Sequence, residues 1–482
     1  MRFWVLAFFV VMTVSTSAQD ILVVENVNIV SPHVSQVHTA QHVMIVDGRI
    51  VDISNESFQT VAAVKRLDGS GQYLVPGIMD SHVHVSSIPG MGFAAEDRAQ
   101  KHPELVNLYF EQQPKSYLYH GVTQILDPNP GVNWQKFTAA KKRPDFFRCE
   151  VITSAETFPY VEMPADTASE LFPFLVDEKA GPETPRSPEK LVTEIAQSGA
   201  RCIKLYFEDG YGNNSQWPLL SKSTTERIKK TAVEKGLLVL AHANALDMYQ
   251  AAILADVDMI THGMWNWGKE RRGNGFPAPI AATLNEMKEK NIGYMPSQRI
   301  VSGLEEIMYE NILDARDYKN VVPKALLDWY RQGGGEWFKQ DVIKGFDGMA
   351  PERIAAIFKY GKLVNGQHVM KYLHEAGRDI LLGSDSPGSP TFVNQPGLNS
   401  YLEMKMLAEA GLPLHDVLAA ATLNNARMFK MDQDYGSVEV GKVANLLLLK
   451  KNPLDSVEAW NNISTIILHG ETLRRDSMKA SE

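Results

Sequence analysis

Cysteine is nearly absent: 482 residues contain two, Cys149 and Cys202. Two thiols cannot build a disulfide framework or a cysteine-based zinc module. A basic excess is lacking as well. Lys and Arg number 48 against 57 Asp and Glu, a formal charge of −9 with no basic run. That leaves out the electrostatic footprint of a nucleic-acid binder. Gly at 34 and Pro at 25 are near average, which excludes collagen-like and low-complexity classes. There is no internal repeat, and no apolar run reaches the ~20 residues of a bilayer span. What remains is ordinary globular composition, 44% hydrophobic and 22% charged, at a length sufficient for a large α/β barrel plus a smaller unit. Any metal must be held by His, carboxylates or a less usual donor.

The first 18 residues read as a segment outside the fold. Arg2 precedes the apolar run Phe3 to Met12, and the small polar stretch Thr13 to Ala18 comes next. A charge, a short apolar core and small residues make a cleavable secretory signal, with the cut expected after Ala18. The expectation is export to a periplasmic or extracellular space, with no membrane span in the mature protein. An oxidising compartment permits a Cys149–Cys202 bond; whether the two thiols meet is left open by the sequence.

Residues 19–72 and 433–482 are rich in short strands, such as Ile21–Val24, Val43–Val46, Leu446–Leu449 and Thr465–Leu468. They predict a small β-sandwich assembled from both ends of the chain. Between them, apolar runs alternate with helical patterns. The runs are Leu74–Val85, Val122–Leu126, Phe147–Thr153, Cys202–Tyr206, Leu237–Ala241, Met259–Thr261, Ile292–Met295 and Ile380–Leu382. Ser187-Pro188 begins one intervening helix with a cap and a proline in the first turn. Ser223-Thr224-Thr225-Glu226 reads as a capping box that begins another, closed by Gly236. Eight strand–helix units predict a (β/α)8 TIM-like barrel over residues 73–432, with a helical insertion at about 299–379.

The chemistry gathers at the strand ends. His82 and His84 lie two apart, and on a strand period two turns both imidazoles to one face. An isolated His-x-His is more often a pair of half-buried histidines. Here His242 ends the fifth run, His262 the sixth, and Asp385 comes just after the eighth. Imidazole and carboxylate are the ligands of zinc and similar divalent ions. Lys204 sits inside the apolar fourth run, where an ammonium is costly to desolvate. It either pairs with a nearby acid such as Asp209 or, beside cations, gives up its proton and takes up carbon dioxide as a carbamate.

These residues resemble the amidohydrolase superfamily of metal-dependent hydrolases. The resemblance rests on His82, His84, Lys204, His242, His262 and Asp385 in order. It extends to the flanking Tyr73-Leu74-Val75-Pro76-Gly77, His120-Gly121-Val122-Thr123, Ala421 to Ala426 and Gly436 to Lys442. It spans the mature chain and is similar to the imidazolonepropionase-related branch, which includes dipeptidases acting on Xaa-Pro or Xaa-Arg. It implies two divalent ions, zinc the expected metal, bridged by a carbamate on Lys204. His82, His84 and Asp385 would hold the inner ion, and His242 and His262 the outer. A hydroxide shared by the ions would cleave a C–N amide bond of a dipeptide or N-acyl amino acid, with Asp385 moving the proton. Two positions depart from the family: Asn445 stands where Asp is usual, and strand two lacks the Arg before Asp127 that many relatives carry.

Substrate contacts are read from the loops beyond the strands: Arg299 for a carboxylate, Tyr211 for a carbonyl or carboxylate, and His120, whose place at the start of strand two favours a structural role. Trp265 and Trp267 stand as candidate pocket walls. Two other functions remain open. The same site could hydrolyse cyclic amides, lactones or phosphotriesters, or the barrel could hold metal as a non-catalytic ligand-binding protein. A homo-oligomer is compatible with all of them.

Overall fold

The computed structural model describes residues 20–59, 64–93, 97–131, 134–154, 172–211, 214–215, 217–270, 275–314, 317–388 and 390–481. The export segment expected at 1–18 lies outside these residues.

Seven parallel strands stand side by side in chain order: Ile78–Asp80, Val122–Asp127, Asp145–Thr153, Cys202–Tyr206, Leu238–His242, Met259–Thr261 and Gly293–Met295. The gap between the seventh and the first is closed by Ile380–Ser386. On one side Ile380 bridges Tyr294, and Leu381 N donates to Tyr294 O at 3.0 Å. On the other, Ser81 N donates to Leu382 O at 3.2 Å and His84 N to Ser386 O at 3.0 Å. The expected barrel is therefore complete, its eighth staff held by isolated bonds rather than a regular ladder. Parallel neighbours need crossover connections, and helices such as Pro188–Gln197 and Lys222–Lys235 supply them.

Local signals explain these helices, with one revision. Ser187 caps Pro188–Gln197 by accepting from Lys190 N. The second helix begins at Lys222, one residue before the predicted capping box, and its cap is Ser221, which accepts from Thr224 N. The reciprocal carboxylate comes from Glu178, which accepts from Ser221 N and Thr224 Oγ1, both at 2.8 Å. A tertiary partner thus replaces the local Glu226, and the helix start moves with it. The segment after the seventh strand holds the helices Gln298–Glu306, Lys324–Arg331, Glu336–Gly345, Pro351–Ile357 and Val364–Glu375.

The run Leu74–Val85 divides between two sheets. Tyr73–Pro76 pairs with Ile21–Val30 and Leu446–Leu449 in the terminal sheet, and the barrel begins at Ile78. Gly77 makes the passage because a Cβ there would come within 1.8 Å of Thr123 Oγ1. The terminal unit does draw on both ends of the chain. The two layers expected of a sandwich arise from one eight-stranded sheet that curls over, its far edge returning where Ile50 N donates to Lys442 O at 2.9 Å. Leu446–Leu449 shows how it is used. Leu446 and Leu448 face the sheet's own core with Leu22, Val24 and Ile45, and Leu447 and Leu449 face the barrel. All four are buried, so the alternation of the strand joins two cores. Asn445, the departure from the family, belongs to this junction: its amide donates to Asp145 Oδ2 at 2.8 Å, at the foot of the third barrel strand.

Cys149 and Cys202 lie opposite each other on the third and fourth barrel strands, Cα atoms 4.4 Å apart, and are joined in a disulfide. Both are fully buried in a layer with Leu126, Leu240, Met259 and Met295. Closing a loop of this span removes freedom from the unfolded chain worth about 4 kcal/mol. Replacing both residues, Cys149→Ala with Cys202→Ala, is expected to lower the unfolding free energy by that order in a urea titration. A loss under ~1 kcal/mol would refute a stabilising role for the bond.

Candidate metal centre

The predicted histidine and aspartate ligands lie at or just past the ends of their strands, at the C-terminal mouth of the barrel, and Lys204 lies inside the fourth strand, Cys202–Tyr206. Asp80, at the end of the first strand, is buried and accepts from His82 N at 3.3 Å, Ser384 N at 3.0 Å and Ser400 Oγ at 2.6 Å. It thereby ties the His82 backbone to the segment that carries Asp385. Asp385 N in turn donates to His82 O at 2.8 Å. His262 and Asp385 hold left-handed backbones, φ 79° and 50°, a conformation that costs ~1–3 kcal/mol in residues other than Gly and collects at functional sites. Gly388 leaves room for the carboxylate, since a Cβ there would meet Asp385 Oδ1 at 2.0 Å.

The four imidazoles stand in a row. Ring centroids are 5.2 Å apart for His84 and His82, 5.1 Å for His82 and His262, and 4.4 Å for His262 and His242. Asp385 Oδ1 lies 3.0 Å from His84 Nε2 and 3.5 Å from His82 Nε2, and its Oδ2 lies 3.8 Å from His262 Nδ1. His82, His84 and Asp385 offer ligand atoms all within 4.8 Å of one another.

Burial sets the protonation. It holds His82 and His262 well below the ordinary imidazole range, with Lys204 and the neighbouring rings adding to the effect. Burial works the same way on His84, but the hydrogen bond and charge of Asp385, with Asp127 behind the ring, outweigh it and raise the pKa. Lys204 is 1% exposed, and burial brings its amine down to about 7 against the opposing charge of Asp385. The salt bridge to Asp209 is not formed; Nζ donates to Thr261 Oγ1 at 2.6 Å, and that hydroxyl donates to Ala241 O at 2.9 Å.

The set fits a divalent ion. His82 Nδ1 and His262 Nδ1 are buried with no hydrogen-bond partner among the described residues, and neutral imidazoles beside one carboxylate are what such an ion requires. Four contributors were not singled out in the sequence: Asp80, Asp127, Glu208 and Thr261. Asp127 accepts from Val85 N at 2.7 Å and lies 3.7 Å from His84 Nδ1; burial raises its pKa to about 6. Glu208 Oε2 lies 3.1 Å from His242 Nε2. Asp80 and Asp127 do carry a signal, a carboxylate at the end of a strand beside a predicted ligand.

The predicted substrate residues fare differently. Arg299 is fully buried on the helix Gln298–Glu306, away from any ligand role. Its guanidinium donates to Glu306 Oε2 at 2.8 Å, Ser302 Oγ at 3.1 Å and Asn399 Oδ1 at 3.2 Å. These acceptors outcompete an exposed position, and the expected carboxylate contact is corrected to a structural one. His120 is buried at the opposite end of the second strand, stacked on Tyr401, with burial lowering its pKa to about 3. It too is structural, as its position favoured. Tyr211 ends the short strand Gly210–Tyr211 after the fourth barrel strand; its side chain lies outside the described residues. Trp265 packs 5.5 Å from His262, whereas Trp267 is buried with its indole N–H on Met264 O. A cavity of about 500 Å³ opens beside His242, walled by Trp265, Leu304, Phe346 and Phe358 and edged by Glu208 and Asp247.

A parallel barrel with a His-x-His, a buried lysine, two further histidines and an aspartate at its mouth defines a class of metal-centred enzymes. The chain belongs to the amidohydrolase family, whose sequence profile matches residues 73–473. Over 128 residues it is 27% identical to the 5-methylthioadenosine/S-adenosylhomocysteine deaminase of Moorella thermoacetica, a match covering 23% of this chain and 30% of that enzyme's length. Among solved structures it is similar to a Xaa-Pro dipeptidase with methionine bound in its active site (TM-score 0.65, 18% identity, 94% of this chain and 100% of that one). It is also similar to a prolidase complexed with N-methylphosphonate-L-proline (0.66, 18%, 94% and 100%) and to the A. niger ochratoxinase (0.65, 16%, 95% and 97%).

Arg299→Ala breaks a buried ion pair and is expected to cost ~3–5 kcal/mol in unfolding free energy. A variant of unchanged stability with a raised KM would instead restore Arg299 to the substrate.

Proposed function

We propose that the protein is an exported hydrolase that cleaves the amide bond of a dipeptide or N-acyl amino acid with two divalent ions. The observation that carries this is Lys204. Its amine is buried close to Asp385 and the imidazoles of His82, His84 and His262 and is hydrogen-bonded only to Thr261 among the described residues, which supports a bridging carbamate. His82, His84 and Asp385 would hold one ion, His242 and His262 the other, and Lys204 both. Bound there, divalent ions lower the pKa of water from 15.7 towards ~7 and polarise a carbonyl.

The residues of the chain do the rest. His82 and His262 stay neutral because they are buried, which keeps their lone pairs free. Asp385, against His84 Nε2, is placed to accept a proton from the attacking water at a carboxylate oxygen and to pass it to the leaving nitrogen. The cavity edged by Glu208 and Asn244, with Trp265, Phe346 and Phe358 in its wall, gives a substrate side chain an apolar surface. The dipeptide class is carried over from the dipeptidase and prolidase of similar fold, by analogy. The deaminase relatives favour a second reading, deamination at a single ion; that chemistry needs no bridging lysine, and Lys204 weighs against it. Export is supported by the segment at 1–18 and is compatible with the Cys149–Cys202 bond.

The purified enzyme is expected to hydrolyse members of a panel of dipeptides and N-acyl amino acids. Asp385→Asn should keep its metal content but lose at least ~100-fold in kcat, within the range of general acid–base catalysis. A panel without turnover overturns the substrate class, and a variant within tenfold of wild type overturns the proton-transfer role. The carbamate gives a separate test. Because Lys204 has its pKa lowered to about 7, its reactive neutral amine predominates above that pH and is lost below it. With 13C-bicarbonate, a carbamate resonance should grow as pH rises through 7 and be missing in Lys204→Met.

A further inference from the structure

The outer pair of ligands has a supporting residue that takes no part in the proposed hydrolysis. The fourth and fifth barrel strands run in parallel register, with Lys204 opposite Leu240 and Tyr206 opposite His242. The pairing continues one step past the strand, where Phe207 N donates to His242 O at 3.0 Å. Period two then sets Lys204, Tyr206 and Glu208 on one face. The Tyr206 ring packs 5.2 Å from the His242 ring, and His262 packs on it at 4.4 Å. Glu208 Oε2 meets the edge of His242 at Nε2, 3.1 Å away, and is itself held by Asn244 Nδ2 at 2.6 Å. Lys362, on the insertion, faces the same carboxylate.

A carboxylate accepts only, so the hydrogen between Glu208 and His242 belongs to Nε2, and the lone pair of the ring is left at Nδ1. Metal-binding histidines are oriented by an acceptor of this kind on the second nitrogen. At the other end of the row Asp127 stands behind His84 Nδ1 at 3.7 Å, while the carboxylate near the two inner rings is that of the proposed ligand Asp385. We infer that Glu208 is a positioning residue for the outer ion: it fixes the tautomer and orientation of His242, so that Nδ1 is the ligand atom. The inference rests on the two-ion reading and adds to it a residue that acts on the outer ion through His242 rather than as a ligand.

The test counts ions and reads the tautomer. Wild type, Glu208→Ala and Glu208→Gln are loaded with zinc, and ions per chain are measured by elemental analysis against a competing chelator. Glu208→Ala should keep the inner ion and hold the outer one 10–100-fold more weakly. Glu208→Gln, whose amide oxygen still accepts from Nε2–H, should recover most of the loss. In the metal-free proteins, 15N spectra should show His242 protonated at Nε2 in wild type and Glu208→Gln but mixed between tautomers in Glu208→Ala. Two ions in wild type with unchanged affinity in Glu208→Ala overturns this role alone. A wild type that never holds more than one ion overturns the role and the two-ion reading together.

Discussion

Four imidazoles and a lysine amine crowd together at the barrel mouth, with Asp385 among them and Asp127 and Glu208 at the two ends of the row, and the rest of the site derives from that crowding of bases. Buried bases beside each other cannot all carry protons, so the inner rings are held neutral and the amine is drawn down towards neutrality. Neutral nitrogens that lack hydrogen-bond partners are costly unless a cation takes up their lone pairs. The protein accepts this cost at the mouth of the barrel, together with left-handed backbone at His262 and Asp385. Elsewhere it secures these residues from behind, through Asp80, Asp127 and Thr261.

The scaffold explains how six ligands from five separate stretches of chain converge. Parallel strands end together at one face, so a residue placed just past each end joins a ring without any local motif to gather it. The ring is kept in register by Ile380–Ser386, whose few bonds to the seventh and first strands bring Asp385 beside His82. Below the ligands, the disulfide between the third and fourth strands anchors the strand that carries Lys204, two residues from Cys202.

Much of this was legible in the sequence because strand ends and period two are local properties. Reading the residues at the end of each apolar run is enough to find His82, His84, His242, His262 and Asp385, and Lys204 stands out as a charge inside an apolar run. It is not enough for Arg299, because its acceptors lie one and two turns along its own helix and on the distant helix Leu398–Glu409, and no spacing in the sequence shows that these close over it. Glu208 was hidden for the same reason: it acts on a histidine carried by a neighbouring strand. The start of the Lys222–Lys235 helix was misplaced because Glu178, far away in sequence, provides the carboxylate that a local box would have supplied.

The interleaving of the two ends of the chain bears on the order in which the molecule is made. Tyr73–Pro76 meets Ile21–Val30 over only two residue pairs, and its full-length neighbour is Leu446–Leu449. During vectorial synthesis that neighbour emerges after every ligand of the site. The N-terminal strands must therefore wait with an open edge while the whole barrel is produced between them and their partner. A nascent chain of this design keeps the edge of Tyr73–Pro76 unpaired until Leu446–Leu449 arrives, and loss of that strand would expose the edge even with every ligand of the site present.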